Sequence, residues 1–146
     1  MTATESDIER ADAIVRAHGR MAPFLGLIVL IIQQGIFFSW DDGAVAWWQI
    51  IIWLCFVGFL FALLMTSGAL FVPRRIRKLA NDEVTRANRD IAIKIGFFVA
   101  LFFGVMLVIV SPFDPIEGQR AGHMLISTSL GITLLVFGLR ETLTGG

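Results

Sequence analysis

Apolar residues dominate four long stretches of the chain, and shorter polar stretches separate them. The apolar stretches cover residues 21–39, 44–72, 95–110 and 123–139. A helix needs about 20 apolar residues to cross a bilayer, and unpaired backbone groups are not tolerated in lipid, so each stretch predicts a transmembrane helix. The second stretch exceeds this length, which predicts a tilted span or one that begins in the interface. The pattern therefore predicts an all-α membrane protein with four spans.

Composition agrees with this class. Hydrophobic residues make up 56% of the 146 residues and charged residues only 16%, and both values depart from the averages of soluble proteins. We expect one four-helix transmembrane domain over residues 21–146, preceded by a cytoplasmic N-terminal segment over residues 1–20. The net charge is zero, and the basic residues gather at one membrane face instead of lining a groove. No nucleic-acid partner is therefore expected.

The connector between the second and third spans, residues 73–94, carries most of the positive charge. It contains seven of the twelve basic residues and three acids. By the positive-inside rule, this excess predicts a cytoplasmic connector. The loops over residues 39–43 and 111–122 contain acids and a single basic residue, Arg120, and are predicted to lie outside. Both termini are then cytoplasmic.

Apolar residues recur at helical spacing in the connector, which predicts an amphipathic helix that continues into the third span. This apolar stripe consists of Ile76, Leu79, Ala80, Val84, Ala87 and Ile91. The basic residues Arg74, Arg75, Arg77, Lys78, Arg86 and Arg89 are interpreted as contacts to lipid or to a partner. Near anionic lipid each contributes about 1 kcal/mol. The alternative is a docking surface for a membrane or cytoplasmic protein partner.

The N-terminal segment predicts a short surface helix. Ser6 and Glu9 have the spacing of a capping box, and Ile8, Ala11 and Val15 share one helical face. Gly19 and Pro23 follow, and both residue types interrupt helices. We therefore expect the chain to break or bend there, before the first span.

Polar residues inside the membrane are candidates for function because burying them in lipid is costly. Gln33 and Gln34 are adjacent in the first span, so they point about 100° apart on a helix, and at least one must face inward. An interhelical hydrogen bond is the simpler interpretation. A ligand or ion contact is the alternative.

Small residues recur at every fourth position in two spans. The stripes are Gly58, Ala62 and Thr66 in the second span and Gly96, Ala100 and Gly104 in the third. Ser127 and Gly131 form a shorter copy in the fourth. Such stripes permit close helix packing, either within the bundle or between the copies of a homo-oligomer.

The sequence contains no residue pattern typical of cofactor binding or catalysis. His18 and His123 are predicted near opposite ends of the bundle, so they cannot both ligate one haem. One cysteine, Cys55, and two distant histidines do not make a metal site. No catalytic motif is recognised, and the first span offers glutamines where a proton-coupled exporter would use a carboxylate. We expect no cofactor, no metal and no enzyme activity.

The connector also carries a resemblance. Its residues Asn81, Asp82, Glu83, Val84, Thr85, Arg86, Ala87, Asn88 and Arg89 resemble an element of uncharacterised small four-span inner-membrane proteins of alphaproteobacteria. This resemblance covers the connector and the start of the third span. It implies a bacterial inner membrane and brings no activity with it.

These patterns favour a non-catalytic accessory or interaction protein that presents its connector to anionic lipid or to a partner. A small transporter or channel subunit using Gln33 and Gln34 is the first alternative. A membrane enzyme acting on lipid or hydrophobic thiol substrates is the second, with Arg86, Asn88 and Arg89 as headgroup binders.

Overall fold

The computed structural model describes residues 5–38, 47–66, 83–113 and 117–144, without the side chains at positions 7, 32–38, 47 and 49. These residues form helices and no strand, which confirms the all-α class. The helices are α1 (Glu5–Phe38), α2 (Trp47–Met65), α3 (Glu83–Val110) and α4 (Gly118–Thr144).

The chain is a membrane protein by the length and apolarity of its helices. Three of the described helices contain a segment able to cross a bilayer: Ile8–Ile31 of α1, Glu83–Val110 and Gly118–Thr144. The apolar part of α2, Ile50–Met65, is shorter. Large apolar side chains cover the outside of α3, where Phe98 is 68% exposed and Val108 is 72% exposed. Such a surface is stable against lipid and costly against water.

The helices alternate in direction along the bundle. Gly19 of α1 and Asn88 of α3 both approach Glu141 near the end of α4, whereas Gly26 and Gly96 approach Gly131 and Ser129 further back along it. Both helices therefore run antiparallel to α4. Trp53 of α2 lies beside His123 near the start of α4, so α2 runs parallel to α4. We call the end where Gly19, Asn88 and Glu141 meet the Glu141 end.

Glycines bring α1 and α4 into close contact. A Cβ atom at Gly26 would lie 2.6 Å from the Gly131 carbonyl oxygen, and one at Gly131 would lie 2.7 Å from Leu30 Cγ. A Cβ at Gly19 would lie 2.9 Å from Glu141 Cβ. Backbones that approach this closely gain dispersion contacts along their length, which is how helices associate where lipid removes most of the hydrophobic driving force.

Helix α2 packs through larger side chains. Leu60 and Leu64 are each 1% exposed and belong to the core. The remaining core residues are Ala22, Val29, Ala92, Leu130, Leu134 and Phe137. The helix α4 contributes three of them and contacts both α1 and α3 extensively. It is therefore the central helix of the described bundle.

Of the break or bend expected at Gly19 and Pro23, the break is wrong, because α1 is one helix of 34 residues with Pro23 inside it. The N-terminal segment is thus an extension of the first span and not a separate surface helix. The Pro23 ring packs against Gly138, which has no side chain in the way. Neighbouring helices stabilise prolines in membrane helices in this manner.

The end of α4 also differs from the sequence expectation, whereas α3 agrees with it. The helix α3 runs from Glu83 to Val110 without interruption, in agreement with a connector helix that continues into the third span; residues 73–82 lie outside the described part. The fourth apolar stretch in the sequence ends at residue 139. The mostly polar residues that follow are nevertheless helical to Thr144, because polar side chains among them are bonded within the bundle, as shown below.

Candidate functional site

Four polar side chains form a hydrogen-bonded cluster at the Glu141 end. Asn88 of α3 donates from Nδ2 to Glu141 Oε1 at 3.2 Å and to Thr144 Oγ1 at 2.8 Å. Its Oδ1 accepts from Arg140 Nε at 3.1 Å. Thr144 Oγ1 in turn donates to the Arg140 carbonyl at 2.8 Å. Asn88 therefore joins α3 to the last turn of α4, and we call these four residues the Asn88 cluster.

Glu141 brings a carboxylate into this cluster. It is 7% exposed and accepts from the neutral amide of Asn88, while Gly19 of α1 leaves room for its side chain. A buried carboxylate needs hydrogen-bond donors to offset the loss of water. Hydropathy places Glu141 after the fourth apolar stretch, so it does not predict the burial of this residue.

Asn88 was interpreted as a possible headgroup binder, and the structure corrects this. It is 2% exposed and bonds within the bundle. Thr85, Asn88, Ala92 and Gly96 are the buried residues of α3, recurring at helical spacing. Small and polar residues at that spacing are a sequence signal for the packed face of α3. The stripe on the other side of the helix is more apolar, so hydropathy alone favours the wrong face as the buried one.

The basic residues Arg86 and Arg89 of the connector lie in different environments. Arg86 is exposed. Arg89 donates from Nη1 to the Met65 carbonyl at 2.8 Å, so it caps the end of α2 and holds α2 against α3. Arg74, Arg75, Arg77 and Lys78 lie outside the described residues.

The apolar stripe of the connector faces outward where it is described. Val84 and Ala87 are exposed and Ile91 is half-buried, whereas Ile76, Leu79 and Ala80 lie outside the described residues. Arg86 and Val84 are thus both exposed at the Glu141 end, on different sides of α3, with Ala87 between them on its outer surface. A surface of this composition suits the boundary between headgroups and acyl chains.

The small-residue stripes occupy different environments. A Cβ at Gly96 would overlap Thr133 Oγ1, and Ser129 Oγ donates to the Gly96 carbonyl at 2.9 Å. Ala100 is half-buried, and a Cβ at Gly104 would make ordinary contact with Leu125.

The expectation that Gly58 packs within the bundle is wrong, because it is exposed with open space around it. Further along α2, Thr66 Oγ1 donates to the Ala62 carbonyl of its own helix at 2.7 Å. The packing face of α2 is set instead by the large residues Leu60 and Leu64.

The histidines lie at opposite ends of the bundle and are both buried. The His18 ring lies 5.5 Å from that of Phe137, and the His123 ring lies 5.0 Å from that of Trp53. Among the described residues, no group of three metal-ligating side chains is present. Gln33 and Gln34 lie in α1, but their side chains lie outside the description.

Comparison with known proteins gave no match to any protein family, curated protein or solved structure.

Proposed function

We propose that the chain is a non-catalytic accessory protein of the bacterial inner membrane that presents its basic connector to anionic lipid or to a protein partner. The observation that carries this proposal is the outer surface of α3 at the Glu141 end, where Arg86, Val84 and Ala87 are exposed. The Asn88 cluster and Arg89 hold the opposite face of the same helix. The exposed surface therefore has a fixed position relative to the bundle.

The proposed membrane orientation follows from the charges. Arg10, Arg16, Arg20, Arg86, Arg89, Lys94 and Arg140 lie in the parts of their helices toward the Glu141 end. At the opposite end of the described bundle the basic residue is Arg120, which lies 3.8 Å from Glu117. By the positive-inside rule the Glu141 end is cytoplasmic, with α2 as the fourth span.

Photocrosslinking in native membranes tests this function. A photoreactive amino acid replaces Arg86 in one variant and Arg120, at the opposite end, in a control variant. We expect adducts with anionic phospholipid at position 86 that exceed those at position 120. A discrete protein adduct at position 86 would support the partner version, and equal, weak labelling at both positions would overturn the proposal.

A small transporter or channel subunit is the second candidate, because α1 carries the two adjacent amides Gln33 and Gln34 within its apolar stretch. Cysteines at positions 33 and 34 in a Cys55→Ser background test for a hydrated pathway. Labelling of either by a small membrane-impermeant thiol reagent would support transport. Complete protection of both would count against it.

The enzyme alternative loses its proposed headgroup binders. Asn88 is bonded inside the bundle and Arg89 bonds the end of α2, which leaves Arg86 as the exposed member of the three.

A further inference from the structure

We infer that Arg140, held in place by Asn88, forms a binding site for the phosphate group of an anionic membrane lipid at the Glu141 end. This site is separate from the connector surface and adds a second lipid contact. It rests on the proposed function only in requiring that the Glu141 end lies at the cytoplasmic headgroup layer.

The Arg140 guanidinium is oriented through a chain of hydrogen bonds. Its Nε donates to Asn88 Oδ1, and the Asn88 amide cannot rotate freely because its Nδ2 is bonded to Glu141 and Thr144. The two terminal nitrogens of Arg140 make no hydrogen bond to the described residues. A planar guanidinium held by Nε can offer those nitrogens to two phosphate oxygens with less loss of conformational entropy than a free side chain.

The guanidinium of Arg140 differs from those of Arg120 and Arg89 in what it contacts. Arg120 lies near the Glu117 carboxylate, and Arg89 bonds a backbone carbonyl. Arg140 has no carboxylate within ion-pair distance among the described residues, because Asn88 stands between it and Glu141. It is a half-buried cation, and desolvation of its surroundings makes an anionic ligand more favourable than at a fully solvated arginine.

The position of Arg140 along α4 selects a lipid as the ligand. Leu139 is 47% exposed and Leu143, just over one turn beyond it, is 82% exposed. Apolar side chains exposed on both sides of Arg140 along the helix place it at the level of the acyl-chain boundary. The phosphate of a glycerophospholipid lies next to that boundary, whereas a soluble phosphate compound would have to approach across the headgroups.

Native mass spectrometry of the full-length protein in detergent tests the site. Phosphatidylglycerol, phosphatidylcholine and soluble glycerol phosphate are titrated into wild-type protein and into Arg140→Lys, Arg140→Gln and Arg120→Gln variants. We expect the affinity of the tightest phosphatidylglycerol site to fall about tenfold in Arg140→Lys, which keeps the charge and loses the Nε bond; that factor corresponds to about 1.4 kcal/mol. Arg140→Gln is expected to lose at least as much, and Arg120→Gln, at the opposite end of the bundle, is expected to leave this site unchanged.

The outcomes separate this inference from the proposed function. Wild-type affinity in both Arg140 variants would overturn the lipid site, whatever the crosslinks at position 86 show. Binding of glycerol phosphate as tight as that of phosphatidylglycerol would overturn its assignment to lipid. A loss in both Arg140 variants together with unlabelled position 86 would uphold the site and reject the connector as a lipid contact. The midpoint of thermal unfolding of Arg140→Lys is measured alongside, and a value near wild type attributes its loss of binding to the site itself.

Discussion

Asn88 holds the cluster together because an amide carries both an acceptor and two donor hydrogens. The acceptor faces the Arg140 guanidinium and the donors face Glu141 and Thr144. A neutral residue thus separates a cation and a carboxylate that are adjacent in sequence. This arrangement satisfies Glu141 by hydrogen bonding and leaves the charge of Arg140 without an internal carboxylate partner in the described structure.

Replacing Asn88 by alanine is expected to lower the free energy of unfolding by about 1–3 kcal/mol, because the buried Glu141 carboxylate would lose its donor. Denaturation in mixed micelles, followed by circular dichroism, measures this change. Arg86→Ala, half a turn away and exposed, is the control and is expected to change stability by less than about 0.5 kcal/mol. Equal effects of the two substitutions would show that Asn88 does not support the bundle.

Glycine-to-alanine substitutions test which of the two small-residue stripes packs within the bundle. Gly96→Ala would place a methyl group on Thr133 Oγ1 and is expected to cost about 1–3 kcal/mol. Gly58→Ala points into open space and is expected to be neutral or to stabilise by up to about 1 kcal/mol, since alanine favours the helix. Unfolding midpoints of both variants in one detergent provide the test. A destabilised Gly58→Ala would indicate a contact of α2 with a further chain.

At the level of the helices, hydropathy was sufficient to predict α3 and α4 because lipid imposes helical structure on any long apolar segment. The packed faces were harder to predict. Gly19 and Pro23 disrupt helices as isolated residues, but here Gly19 makes room for Glu141 and Pro23 packs on Gly138. Their roles depend on α4, which lies more than a hundred residues later in the chain, so local sequence rules gave the wrong result.

Pairs of spin labels test the continuity of α1 through Pro23. Labels at the exposed positions 12 and 27 are fifteen residues apart, so an unbroken helix separates their Cα atoms by about 22 Å. Positions 86 and 101 of α3 have the same spacing and are also exposed, which makes them the matched control without proline. Cys55 is first replaced by serine. Electron–electron double resonance is expected to give similar distances and widths for both pairs, and a markedly shorter or broader α1 distribution would contradict the continuous helix.

The molecule as a whole joins two kinds of helix packing. The close seam of α1 with α4 depends on glycines, whereas α2 is held by Leu60, Leu64 and the bond from Arg89 to Met65. The all-α class and the presence of membrane-spanning helices could be inferred from the sequence, and three described helices contain segments long and apolar enough to cross a bilayer. The Asn88 cluster could not, because it forms only when the last turn of α4 returns to α3 after 50 residues or more.

The alternating helix directions place the N-terminal part of α1 and the C-terminal end of α4 at the same end of the bundle. The excess of basic residues there predicts that this end is cytoplasmic. A green fluorescent protein fused after Gly146 is therefore expected to fluoresce, and alkaline phosphatase fused at the same point is expected to be inactive. Alkaline phosphatase inserted after Phe113, between α3 and α4, is the control and is expected to be active, because that connection lies at the opposite end.

Active phosphatase at Gly146 with inactive phosphatase after Phe113 would reverse the orientation. The Arg140 site would then face the outer leaflet, where its phosphate ligand would have to come from a different lipid pool.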